Sequence, residues 1–212
     1  MLDDDDILSR RGSFIGQTNT FLCNFSKVDI SVRNKLFHNY CSSHYGAELW
    51  DLNSRKVEDY CIAWRKALRK VWKLPYDASS INVALVSNTA PLLDELCRRA
   101  NNFTHTCLQC DSNFVQTVAM HGISAGARSP IGRNAVFCSL RFNMHIDDVG
   151  KRKLSNNHCF EQYRNKLNVD SVDRAAALRE LIYVREGLYK MSNSDFCMDD
   201  INSMIGFLAC NN

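Results

Sequence analysis

Five of the nine residues from Arg65 to Lys73 are cationic: Arg65, Lys66, Arg69, Lys70 and Lys73. On a helix, side chains four apart stand one above the other, so Arg65, Arg69 and Lys73, with Lys66 and Lys70 beside them, offer positive charge at a spacing comparable to successive phosphates. The chemistry this allows is capture of an anionic polymer, each neutralised phosphate adding salt-dependent affinity. The same cluster also fits a solvated helix face whose cations are favoured by the dipole at a helix C-terminus.

A second constellation is Cys107-Leu108-Gln109-Cys110, which has the spacing of half a zinc site. A structural zinc needs a second pair of ligands, and only His121 follows at a plausible distance, so neither a metal nor another cofactor is expected. The chain has ten cysteines. Cys23, Cys41, Cys61, Cys97, Cys107, Cys138, Cys159, Cys197 and Cys210 fall mostly among apolar neighbours at helical spacing and read as reduced thiols.

Composition bounds the rest. With 212 residues, 45% of them apolar, and only three prolines, the chain can bury a core and favours long helices. A net charge of +3 is too mild to announce a nucleic-acid binder, so the distribution of charge matters more than its total. The opening Met1-Leu2-Asp3-Asp4-Asp5-Asp6 is acidic where an export signal would be basic, and no apolar run approaches the roughly 20 residues that cross a bilayer. An intracellular chain with no membrane partner is expected.

The elements that must position the cations read as helices. The first spans about 5–25, with Ile7, Leu8, Phe14, Ile15, Thr18, Phe21, Leu22 and Phe25 on one face. Its other face carries Ser9, Gly12, Ser13, Gly16, Thr20 and Asn24, small and uncharged where a solvated helix would show Lys and Glu. Such a face permits close approach to a sugar-phosphate surface or to a partner helix. Asp29-Ile30-Ser31 begins a second helix through about Cys41, with Val32, Leu36, Phe37, Tyr40 and Cys41 inward, and Gly46 is placed to end it. The third is capped by Asn53-Ser54 and runs to Lys73 before Leu74-Pro75. There Val57, Tyr60, Cys61, Trp64, Leu68, Val71 and Trp72 occupy an arc of about 120°, and Arg55, Arg65, Lys66, Arg69, Lys70 and Lys73 lie on the other side.

Shorter helices are expected at 80–86, at 91–107 opened by Thr89, at 113–120 and at 134–142, with a loop over 122–130. A charged break at 147–153 precedes helices near 172–191 and 199–208. No alternating strand exceeds four residues. The fold class is therefore all-α, an irregular multi-helix bundle divided as 1–76, 77–146 and 147–212.

Four segments carry a more specific likeness: Gly12-Ser13-Phe14-Ile15-Gly16-Gln17-Thr18-Asn19, Lys35-Leu36-Phe37-His38-Asn39-Tyr40-Cys41, Tyr45-Gly46-Ala47-Glu48-Leu49-Trp50-Asp51-Leu52, and Ala63-Trp64-Arg65-Lys66-Ala67-Leu68-Arg69-Lys70-Val71-Trp72-Lys73-Leu74-Pro75. In this order and spacing the chain resembles the segment that follows the palm in non-LTR (LINE-type) retrotransposon reverse transcriptases. The Tyr-Gly-x-x-Leu-Trp and Ala-Trp-Arg-Lys elements are the most specific, and the likeness covers about residues 10–110.

The resemblance implies a thumb-like bundle at 1–76, followed by a helical extension, that packs on a palm and grips an RNA–DNA or A-form duplex. Its duplex-facing residues would be Gly16, Gln17 and Asn19 on the first helix and Arg65, Lys66, Arg69 and Lys70 on the third, with Lys73 closing the basic run. The aromatic-Ala-Asp-Asp hairpin that holds the polymerase metal ions is absent from the sequence. Cys197-Met198-Asp199-Asp200 lacks the aromatic residue and reads as a helix cap, and Asp3–Asp6 and Asp147-Asp148 fail for the same reasons. No catalysis is expected of this chain alone. Other readings stay open: a helical protein-interaction module docking on a palm-containing polymerase chain, a non-functional retrotransposon remnant, or a segment that does not fold without something to cover Phe21, Phe37 or Trp50.

Overall fold

Helix ends leave backbone groups without partners, and in this chain short polar side chains supply many of them. The Asp29 carboxylate accepts from the backbone N–H groups of Ser31 and Val32, the Ser54 hydroxyl from Val57, and the Ser129 hydroxyl from Gly132. Asn88 and Asn143 close their helices in the left-handed conformation that asparagine tolerates.

The computed structural model describes residues 2–76 and 78–166 and the single positions Ala176, Arg179, Glu180 and Ile182. The fold is all-α. The described helices are α1 (Leu2–Asn24), α2 (Ile30–Cys41), α3 (Arg55–Val71), α4 (Ser80–Ser87), α5 (Leu92–Leu108), α6 (Asn113–Ser124), α7 (Pro130–Phe142) and α8 (Asn156–Lys166), with 3-10 turns at Ala47–Leu49, Gly126–Arg128 and Ile146–Asp148. Among the described residues there is no strand, and no helix is long and apolar enough to cross a membrane. The helix expected at 199–208, most of that expected at 172–191, and Cys197, Asp199, Asp200 and Cys210 lie outside the described residues.

Two compact units share the chain. One comprises Met1–Ser13, Ser43–Ile62 and Ala90–Tyr163, the other Phe14–Ser42, Ala63–Thr89 and the described residues from Arg164 onward. The breaks expected after residues 76 and 146 fall inside the Ala63–Thr89 and Ala90–Tyr163 segments.

In the unit containing α5, α6 and α7, buried polar side chains hold irregular backbone in place. Asn134 donates to the carbonyls of Trp50 at 2.8 Å and Glu48 at 3.1 Å and accepts from Leu52 N at 3.4 Å. Asn101 binds Gly150 N and Arg152 O, each at 2.9 Å, and Asn102 binds both backbone groups of Leu154. The charged break is therefore pinned along α5. Its turn needs glycine, because Gly150 has φ +78° and a Cβ there would press on Thr104 Cγ2. Asp94 on α5, nearly fully buried, meets Arg141 on α7 at 2.5 Å.

The other unit has an aromatic core. Trp64 of α3 stacks on Phe14 of α1, ring centroids 5.2 Å apart, and lies 5.1 Å from Phe37 of α2. Phe21 meets Phe37 edge-on at 5.8 Å. Phe21, Phe37 and Trp50, considered above as uncovered apolar surface, are buried in the chain.

Several sequence expectations change. Val32 and Tyr40 are exposed, and α2 buries Ile30, Phe37 and Cys41 together with Arg33. Its guanidinium donates to Val71 O at 2.9 Å and Ser26 O at 3.1 Å, satisfying a carbonyl at the end of α3 that no helical partner reaches. Leu8 and Ile15, placed on the inner face of α1, are exposed. Helix α2 ends at Ser42 without help from Gly46, which instead leads into the 3-10 turn after it. Pro91 precedes α5, and Thr89 bonds Ser87 at the close of α4. The segment expected as a loop over 122–130 is largely helical, since α6 continues to Ser124 and Pro130 starts α7. Helix α8 was not expected, because its sequence is too polar to show an apolar stripe.

Candidate nucleic-acid interface

The seam expected on α3 is buried throughout: Val57, Tyr60, Cys61, Trp64, Leu68, Val71 and Trp72 are all core residues. Burying Trp64, Leu68 and Val71 fixes the rotation of the helix, and that rotation turns the cations outward. Lys66 and Lys70, one turn apart, are exposed. Neither has a carboxylate partner among the described residues.

Arg65 and Arg69 are half-buried and differ from the lysines. The Arg69 Nε and Nη2 donate to Ala78 O at 2.9 and 2.7 Å, and Nη2 also reaches Ser80 Oγ at 3.1 Å. Arg69 thus ties the segment after α3 back onto the helix.

Lys73 lies beyond the helix, which ends at Val71, two residues earlier than the apolar period implied. Its φ of +52° is the left-handed closing position that glycine usually takes. Leu74 N then returns to Arg69 O at 2.8 Å, and the Leu74 side chain is buried. Lys73 is exposed but does not share the helical register of Lys66 and Lys70.

On α1, Gly16, Gln17 and Asn19 are exposed, as are the small residues Ser9, Gly12, Ser13, Thr20 and Asn24. Among the described residues, a Cβ built on Gly12 or on Gly16 would meet no heavy atom within 4 Å beyond its chain neighbours and its own helix backbone. These two glycines therefore serve no close packing against the other described elements. Phe14, Thr18 and Phe21 form the opposite, buried side. The structure leaves the eight expected interface residues at or near the surface of one unit, and among them Lys66 and Lys70 form an exposed pair in helical register with no carboxylate partner among the described residues.

One feature escaped the sequence reading. Tyr76 is 79% exposed, directly after the proline that stops α3, and the Lys66 ammonium stands over its ring, 5.9 Å from the centroid. Only the spacing of Lys66 to Tyr76 across a helix stop hints at the pair, and such spacing is common.

The other chemical candidates have structural roles. Burial raises the Cys107 thiol, with the neighbouring Cys110 adding to the effect, and Cys110 contacts Ser112 O. Among the described residues no group of three or more His, Cys, Asp or Glu side chains is placed to hold a metal. Asp6 accepts from Trp50 Nε1 at 2.7 Å, Asp3 pairs with Arg133, and Asp148 with Lys151.

Comparison of the chain with protein-family models, curated proteins and solved structures finds no match.

Proposed function

We propose that this chain is a non-catalytic, thumb-like segment of reverse-transcriptase type that grips an RNA–DNA or other A-form duplex through the outer face of α3. The single observation that carries the reading is the exposed Lys66–Lys70 pair, held outward by a helix whose opposite side is a sealed aromatic seam. Ammonium groups anchored this way meet phosphates without reordering the fold and gain from counterion release. The open, small-residue face of α1 supports the same reading, because a groove presenting sugars and phosphates admits glycine and serine more closely than bulky side chains. Recognition would follow shape with little sequence preference. The chain lacks the polymerase aspartate motif, so extension of a primer is left to a palm-containing polypeptide.

The test is fluorescence anisotropy of a short RNA–DNA hybrid from roughly 50 to 200 mM salt. The expected result is a steep loss of affinity with salt, and for K66E/K70E a loss of tenfold or more with a shallower slope, each lost phosphate contact removing about 0.9. Equal binding by both proteins, or none by either, overturns the proposal.

A second reading, docking on another protein chain, draws on α6 and α7, where Phe114, Val118, Met120 and Leu140 are each more than half exposed. Recovery of a palm-containing chain in a pull-down, lost on F114S/L140S and unaffected by nuclease, would favour it.

A further inference from the structure

The structure points to a use for Tyr76 that a duplex grip does not require. Its ring stands close after the stop of α3, where the residues described around it are held. Leu74 is buried before it and Ala78 after it, Ala78 N bonds Pro75 O at 3.2 Å, and Arg69 holds Ala78 O with two hydrogen bonds. The Lys66 ammonium covers one face of the ring, and the 79% exposure of the residue leaves the other to solvent. Lys70 follows one turn along the same side of α3. A flat π-surface beside the Lys66 ammonium, with a second cation one turn along the helix, is the minimal site for a nucleotide, with the base on the ring and its phosphate on a cation.

We infer that Tyr76 is a stacking platform for an unpaired nucleotide, and that the chain engages the single-stranded extension of a duplex as well as the duplex itself. An unpaired base is required by the chemistry, since bases inside a helix have both faces covered by their neighbours and only a splayed or terminal base can stack on a side chain. The inference rests on the duplex-gripping reading for its setting, yet it names a different contact and can fail separately.

The experiment compares three probes on the full chain: a blunt RNA–DNA hybrid, the same hybrid with a single-stranded extension carrying 2-aminopurine at its first unpaired position, and the single strand alone. Wild type, Tyr76→Ala and Tyr76→Phe are measured; so exposed a position should tolerate both substitutions without loss of fold. The extension should tighten wild-type binding roughly fivefold or more and quench the 2-aminopurine. Tyr76→Ala should lose both effects while holding the blunt hybrid unchanged, and Tyr76→Phe should keep both. An extension effect that persists in Tyr76→Ala, or an extended hybrid bound without quenching, overturns the platform. Tyr76-dependent quenching of the single strand without blunt-hybrid binding sustains the platform and overturns the duplex grip. Absence of binding to all three overturns both.

Discussion

The Arg69 guanidinium and the Ala78 carbonyl are joined twice, through Nε at 2.9 Å and Nη2 at 2.7 Å, across the stop that ends α3. This clasp makes Arg69 a structural residue within a run of cations. Arg69→Gln should therefore destabilise the fold by about 1–2 kcal/mol in urea titration, a forked cation to one carbonyl being worth somewhat more than an ordinary hydrogen bond. Lys70→Glu should leave the midpoint within about 0.5 kcal/mol of wild type and change only binding. The opposite ranking would show that the clasp contributes nothing to folding.

The aromatic seam is expected to dominate stability in its unit. Trp64 stacks on Phe14 and borders Phe37, and truncating a buried tryptophan costs about 3–5 kcal/mol. Trp64→Ala should unfold or nearly unfold the protein at 25 °C, visible as loss of near-UV circular dichroism. A native melt for this variant would mean that the core is elsewhere.

Two glycine substitutions should move stability in opposite directions. Gly16→Ala adds a methyl group to open space in a helix interior and should stabilise by roughly 0.5–1 kcal/mol. In the same protein the anisotropy assay should show weaker duplex binding if the α1 face lies against a sugar-phosphate surface. Gly132→Ala, by contrast, would drive a Cβ into the carbonyl oxygens of Gly126 and Gly122. Thermal denaturation should show a loss of several kcal/mol, among the largest for a single methyl group.

Acid should weaken the fold partly through Glu95. Burial pushes its carboxyl upward, but hydrogen bonds and charge from Arg98 and Arg99 outweigh it and hold the group below its ordinary value. A carboxyl that ionises more readily when folded contributes stability above its unfolded pKa, about 4.3, and loses it as pH falls through the folded value. Glu95→Gln should be less stable than wild type at pH 7, with the gap closing below about pH 4. A gap independent of pH would rule out the ion pairs as its source.

Thiol reactivity should follow burial. Cys23 is exposed, whereas burial foremost pushes the Cys159 thiol up to about 12, and Cys97, also buried, is raised by its hydrogen bond with Cys138 and by desolvation. Iodoacetamide at pH 8 should label Cys23 within the native protein and leave Cys97 and Cys159 unmodified, as peptide mass spectrometry would record. Rapid labelling of Cys159 would indicate that α8 opens.

Much of this arrangement was legible in local pattern. The α3 seam, the outward lysines and the capping role of Asp29 all depend on residues within a turn or two of one another, and the 3.6-residue period reports such relations directly. The exposed small face of α1 was equally visible, because a helix whose other side holds Phe14, Thr18 and Phe21 can turn only one way. The eleven residues of α8 gave no such signal, their apolar content being too low for a stripe.

Long-range polar contacts decided the remainder. Helical period marked Val32 as inward, yet Arg33 is buried because the carbonyl of Val71, 38 residues away, needs a donor. Asn101 and Asn134 look like ordinary helical polar residues until the backbone of 48–52 and 150–152 arrives beside them. The same principle separates the cations of α3: sequence assigns Arg69 and Lys70 the same charge and the same helix face, and only the return of Ala78 commits one to the fold while the other stays in solvent. Amphipathic period is a property of one element, whereas the partner of a buried donor is set by whichever distant segment packs against it.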